Sequence, residues 1–138
     1  MTTQQLSEQR VKHLEMLQQV ISRMATNSFM LKGWSVTLVV GFFAVVDKTE
    51  IHKFGWVALI PIVLFWILDG YFLRQERLFR KHYDFVRGNN SGDIVDFSMN
   101  TQPYENEVNC VLKVMFSNTL FLFYLGLSVP TIIVLVGL

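Results

Sequence analysis

A chain of 138 residues with 51% hydrophobic side chains, 12 Phe and only 3 Pro is sized for one small domain and is too apolar for a disordered segment. Its 12 Lys and Arg against 11 Asp and Glu leave a net charge of +1, which argues against a nucleic-acid-binding surface, since such surfaces neutralise phosphates with clustered bases. The single cysteine, Cys110, excludes an intramolecular disulfide and is expected as a small apolar filler beside the last apolar run.

Residues 5–28 carry Val11, Leu14, Leu17, Ile21, Met24 and Ser28 at the three-and-four spacing of one helical face, with Glu8, Arg10, Lys12, Glu15, Gln18, Gln19 and Arg23 elsewhere. No Gly or Pro interrupts before Gly33, so this amphipathic helix is expected to run on into the first apolar run, residues 29–46. Its polar face is as acidic as it is basic and rich in Gln. That balance favours packing against another subunit's helix or the later polar segment over lying flat on an anionic bilayer. Residues 1–27 hold no apolar core ahead of a small-residue cleavage site, so no cleavable signal peptide is expected and the first run serves as the insertion signal.

The polar link Asp47 to Lys53 joins the first run to a second, residues 54–73, as a helical hairpin. The second helix is expected to continue from Arg74 through Val86, with Leu78, Phe79, Phe85 and Val86 as its apolar side and Glu76 four residues before Arg80, a pair worth about 0.3 kcal/mol. Gly88-Asn89-Asn90-Ser91-Gly92 breaks it, residues 94–99 suit a brief extended stretch, and another helix is expected from Glu105 into the third run. That run, residues 114–138, has 25 residues and no charge. At roughly 1.5 Å per residue it reaches about 37 Å, more than the roughly 30 Å of bilayer hydrocarbon.

A soluble domain of this size lacks the polar surface to cover three such runs. The expected fold class is therefore an all-α membrane protein, a single membrane domain over residues 1–138. It has three transmembrane helices (29–46, 54–73 and 114–138), an amphipathic N-terminal helix (5–28) and a cytoplasmic segment (74–113) that begins as a helical extension of the second span. Ten of the 12 Lys and Arg precede the first span, stand at its near edge (Lys32) or lie between the second and third, leaving only Lys48 and Lys53 in the link. This asymmetry places the N-terminus and residues 74–113 in the cytoplasm and the C-terminus outside.

Catalytic patterns are missing. No histidine pair has metal-ligand spacing, and no nucleophile elbow or phosphate-cradling glycine loop occurs. His13, His52 and His82 fall on three separate segments, so neither an enzyme nor a metal or other cofactor is expected. Charges at membrane depth are costly, and Lys32 and Asp69 stand out for that reason. Both fall near the cytoplasmic boundary, where they form an ion pair within or between subunits; the other reading has Lys32 snorkelling to headgroups and Asp69 capping a polar neighbour. In the third span Ser117, Tyr124, Ser128 and Thr131 share one face, which suits either the lumen of a pore or hydrogen bonding between helices. Pro130 removes one backbone hydrogen bond from the same helix. In the first span Gly33, Thr37 and Gly41 form a small-residue stripe for close helix packing.

An amphipathic helix running into RMATNSFMLKGWSVTLV, a second span closing with LFWILDGYFLRQERLFRKHYDFV, and the following DFSMNT resemble small bacterial membrane proteins of the SLATT type and related few-span effectors. The resemblance covers roughly residues 10–90; the uncharged third span departs from two-span members and leaves open which helix would line a pore. It implies a homo-oligomeric, ion-channel-like pore in the bacterial inner membrane, acting as the membrane-disrupting component of an anti-phage defence system. A cytoplasmic protein or a nucleotide-type ligand would be the trigger. The alternative is a non-conducting scaffold or accessory subunit that anchors a soluble partner at the bilayer.

Overall fold

The computed structural model describes residues 3–47, 49–89 and 95–137. Lys48 of the expected link, Asn90 to Gly92 of the expected break, Ile94 of the expected extended stretch and Leu138 at the end of the third run lie outside the described residues.

The described residues are helical without strands. α1 is one unbroken helix of 43 residues, Thr3–Val45, as the absence of Gly and Pro before Gly33 requires. A short α2, Ile51–Phe54, and a 3-10 turn, Gly55–Ala58, lead directly into α3, Leu59–Gly88, of 30 residues. Pro61 falls in the first turn of α3, where its missing N–H costs little. The helix stops where Asn89 turns to an extended conformation, its N–H still bonded to the Phe85 carbonyl at 3.0 Å. A second 3-10 turn, Gln102–Tyr104, precedes α4, Val111–Met115, and α5, Asn118–Gly137. Three helical stretches are long and apolar enough to cross a membrane: α1, residues 51–88 and α5.

The helix expected from Glu105 into the third run does not form as one piece. Residues 105–110 are not helical, α4 has only five residues, and the chain breaks again at Phe116, with φ −88° and ψ 13°. The break is stabilised locally. The indole N–H of Trp66 donates to the Met115 carbonyl at 3.0 Å, satisfying the acceptor that the Thr119 N–H would use in a continuous helix. Gly70 receives the Met115 side chain directly: a Cβ on Gly70 would overlap Met115 Cγ. Likewise Gly55 receives Leu135, and the His52 ring lies 3.1 Å from the Leu135 carbonyl, which seats the end of α5 against the α2 turn.

α1 and α3 run antiparallel, with His13 beside His82, Lys32 beside Asp69, and Val39 and Ile62 in one cluster. Around Val39 and Ile62 close Val114, Leu120 and Tyr124, so α4 and α5 complete a core that α1 and α3 begin. The inward face of α1 is His13, Leu17, Ile21, Ser28, Ser35 and Val39. Val11, expected on that face, is 55% exposed, because the helix turns His13 inward instead. Outward lie Trp34, Val40, Ile60, Leu64, Leu122 and Ile133, all exposed.

Candidate functional site

Asp69 is the one carboxylate fully buried among the described residues. It sits on the face of α3 that meets α1, and Ser28, Lys32 and Ser35 face it from α1 at helical spacings of four and three. Lys32 Nζ lies 2.5 Å from Asp69 Oδ2, and Ser28 donates its hydroxyl to Oδ1. From α5 the phenol of Tyr124 donates to Oδ2 at 3.2 Å. Lys32 also donates to Ser28 Oγ at 2.9 Å, and Ser35 donates to the Lys32 carbonyl at 2.8 Å. The stem of Lys32 passes Phe123, whose ring centroid is 6.0 Å from Nζ. Trp66 stacks on Tyr124 at 5.9 Å and shields the phenol from the outside.

Both oxygens of Asp69 are thus occupied by donors from two other helices. Three donors take most of the acceptor sites of this carboxylate, which is wholly buried, and its charge is matched by Lys32 in the same pocket. The arrangement acts as a three-helix clasp. Lys32 and Asp69 meet within one chain, and Ser28 and Tyr124 join them, neither of which the sequence spacing linked to the pair.

The third-run hydroxyls are placed otherwise than on one open face. Tyr124 is fully buried against Asp69, and Thr131 is 3% exposed with its hydroxyl on the Leu127 carbonyl at 2.7 Å. Ser128 is half-buried and bonds the Tyr124 carbonyl at 2.7 Å. Ser117 lies in the break between α4 and α5, half-buried, and its Oγ finds no partner among the described residues. The shared face of the third run is the face that α3 and α1 cover, so two of the four hydroxyls point into the protomer. Gly33, Thr37 and Gly41 do the opposite. All three are exposed, and nothing lies within 4 Å of a Cβ built on either glycine.

The histidines, dispersed in sequence, converge in space. His13 Nε2 lies 2.9 Å and His82 Nε2 2.8 Å from the same acceptor, the Ser98 carbonyl, with the two rings edge to face at 5.7 Å. The chain arrives there through Phe97 at φ 47°, a left-handed conformation costing an aromatic residue about 1–2 kcal/mol; its ring packs 5.6 Å from His13. Burial holds the His82 pKa below its ordinary value, the Ser98 bond opposes that shift, and the nearby His13 adds to it. From Ser98 onward the segment runs back along α3: Tyr104 packs on His82 and Phe85, Lys81 pairs with Glu107 at 3.4 Å, and Arg74 donates to the Asn109 carbonyl at 3.2 Å. Burial, and next to it Glu107, raises the Tyr104 pKa. No periodicity could have paired His13 with His82; only the antiparallel register of α1 on α3 does so.

A cleft of about 330 Å³ opens between α3 and this returning segment, lined by Arg77, Arg80, Lys81, Asp84, Glu107 and Asn109. Arg80 bonds Glu76, the pair the four-residue spacing anticipated, at 2.7 Å. Cys110 is exposed, not an apolar filler, because it caps α4 from an extended conformation outside the core. Among the described residues no group of three His, Cys, Asp or Glu side chains is arranged to hold a metal. No protein-family model, curated protein sequence or solved structure matches the chain.

Proposed function

We propose that this is an integral membrane protein whose copies assemble into an ion-channel-like pore, with the outward face of α1 lining the conduit. One observation carries the reading. At 100° per residue, Gln19, Arg23, Thr26, Met30, Gly33, Thr37, Gly41 and Ala44 fall within about 40° of one direction. Every one of them is exposed. A helix face turned to lipid would be bulky and aliphatic; within the apolar run this one carries Gly33, Thr37, Gly41 and Ala44 beside one long side chain, Met30, and Gln19, Arg23 and Thr26 continue it as a polar line before the run. Bulky exposed residues flank it, Phe29, Val36 and Val40 on one side, Trp34, Leu38 and Val45 on the other. In a closed ring each helix has a neighbour on either side of the direction to the axis, and the two ridges are set to pack there. The stripe is then left facing the axis, with hydroxyls at Thr26 and Thr37 and open backbone at Gly33 and Gly41.

The exposed apolar exterior of α3 and α5 supports burial in hydrocarbon, because water would penalise so much contiguous apolar surface. The distribution of Lys and Arg supports the N-terminus in the cytoplasm and the C-terminus outside. The bacterial inner membrane and a membrane-disrupting role in anti-phage defence rest on the sequence resemblance alone. The mixed-charge cleft beside Arg77 and Lys81 favours the second reading, a scaffold that docks a cytoplasmic partner without conducting, and it is equally the place for a nucleotide-type trigger.

Planar-bilayer recording of the purified protein, together with its mass in detergent, tests the reading. Unitary currents from an assembly of three or more copies are the expected result. A monomer near 16.0 kDa would remove the pore, and currentless oligomers would leave the scaffold.

A further inference from the structure

We propose that residues 95–109 form an acid-released strap, clipped across α1 and α3 by two neutral imidazoles that share the Ser98 carbonyl. The geometry requires a defined protonation state. Both Nε2 atoms lie within hydrogen-bond distance of one oxygen, so each neutral ring must carry its proton on Nε2. In His82 the other ring nitrogen, Nδ1, is buried and has no partner among the described residues. Protonating His82 therefore creates an N–H with no acceptor in a site closed to water. Protonating both rings sets two cations face to edge with centroids 5.7 Å apart.

The surroundings offer no compensation. The rings face each other, Phe97 from the strap, Tyr104 from the 3-10 turn, and the Ser98 carbonyl. Tyr104 is a neutral phenol through the acid range, since even the ordinary phenol value of 10.0 lies far above it and burial raises it further. Among the described residues no carboxylate pairs with either ring, the nearby Glu107 being engaged with Lys81.

A histidine held below its ordinary pKa binds fewer protons when docked than when released. Docking is therefore at full strength above the ordinary value of 6.5 and is lost as pH falls from there through the lowered one. What is released is a segment tied along α3 at His82, Lys81 and Arg74, together with the His13 bond by which the N-terminal half of α1 holds it. The strap itself depends on nothing in the pore reading; under that reading, its release frees the cytoplasmic half of the conduit helix and makes acidification the gating signal.

Hydrogen exchange read by mass spectrometry tests this on the full chain in detergent, with rates converted to protection factors to remove the intrinsic pH dependence. Protection of residues 98–104 should fall at least tenfold between pH 7.5 and 5.0 while that of α5 stays constant. In the His13→Gln/His82→Gln variant, whose amide N–H groups can reach the same carbonyl without titrating, protection should be flat with pH. If that variant fails to fold, the His82→Gln single variant serves, and its fall should be smaller than that of the wild type. Unchanged protection in the wild type, loss shared equally by α5, or an undiminished fall in the Gln variants would overturn the proposal. Bilayer recordings at the same two pH values separate the consequence from the strap: strap release without any current leaves the strap standing and removes the pore.

Discussion

Trp66 donates its indole N–H to the Met115 carbonyl at 3.0 Å, and this one bond satisfies an acceptor exposed where the last long helix begins. Replacing Trp66 with Phe keeps a ring to stack on Tyr124 but strips the donor from a carbonyl that the break in the helix has already freed. Leaving such a group unpaired costs about 1–3 kcal/mol. Thermal unfolding of the detergent-solubilised protein, followed by circular dichroism, should show that loss. An unchanged midpoint would mean that the break is set by Gly70 and Met115 without the indole.

The Lys32–Asp69 pair should behave as a coupled unit. Lys32→Met leaves a fully buried carboxylate facing only two hydroxyls and should cost about 3–5 kcal/mol. Asp69→Leu strands the ammonium but leaves it a route outward, since the Lys32 side chain is 20% exposed, and should cost less. Removing both together should recover much of the Lys32→Met loss. The measurement is a double-mutant cycle of denaturation free energies; additive losses would mean that the two charges are not coupled.

Two glycines admit side chains from the last helices, and they differ in how much room can be made. At Gly55 a new Cβ meets the methyl end of Leu135, which can rotate away. At Gly70 it meets Met115 Cγ, near the root of a buried side chain, which clears the space only by turning the whole Met115 side chain within the core. Gly70→Ala should therefore lower stability by about 1–3 kcal/mol and Gly55→Ala by less, read as shifts in the unfolding midpoint. The reverse order would show that α4 is held more loosely than its burial implies.

With Cys110 replaced by Ser, single cysteines at Thr26 and Thr37 should react with a small hydrophilic thiol reagent in the assembled protein and alter conductance. Cysteine at Thr131 should stay protected, because that side chain is 3% exposed within the protomer. A C-terminal alkaline-phosphatase fusion should be active in the same cells, reporting an external terminus. Protection at residue 37 with reaction at residue 131 would return the conduit to the third apolar run.

The three long helices were legible because uncharged runs and the missing helix breakers act locally. Glu76 and Arg80 met for the same reason, being four residues apart on one helix. Lys32 and Asp69 were singled out by cost, since a charge in an apolar run demands a partner, and the hairpin brings them to one level. Tyr124 as third member was not legible: its place beside Asp69 depends on how α5 is hung from α4, and hence on a break whose freed carbonyl is paired by Trp66, 49 residues upstream of Met115. His13 and His82 stayed apart for want of the α1–α3 register. The long outward face from Gln19 to Ala44 was hidden in another way, because reading the amphipathic half and the apolar half separately loses the common phase of a single continuous helix.

That continuity makes α1 a single rod. At roughly 1.5 Å per residue its 43 residues measure about 65 Å, and the Ser28–Lys32–Asp69 clasp grips it about 40 Å from the start and about 20 Å from the end. Buried side chains seat the rod on both sides of that grip, His13, Leu17 and Ile21 toward the start and Ser35 and Val39 toward the end. A tilt about the clasp would need both seats to give together, and it would move residue 5 about twice as far as residue 41 and in the opposite direction. Packing in the apolar third of α1 and packing at its far N-terminus therefore hold one and the same orientation of the helix.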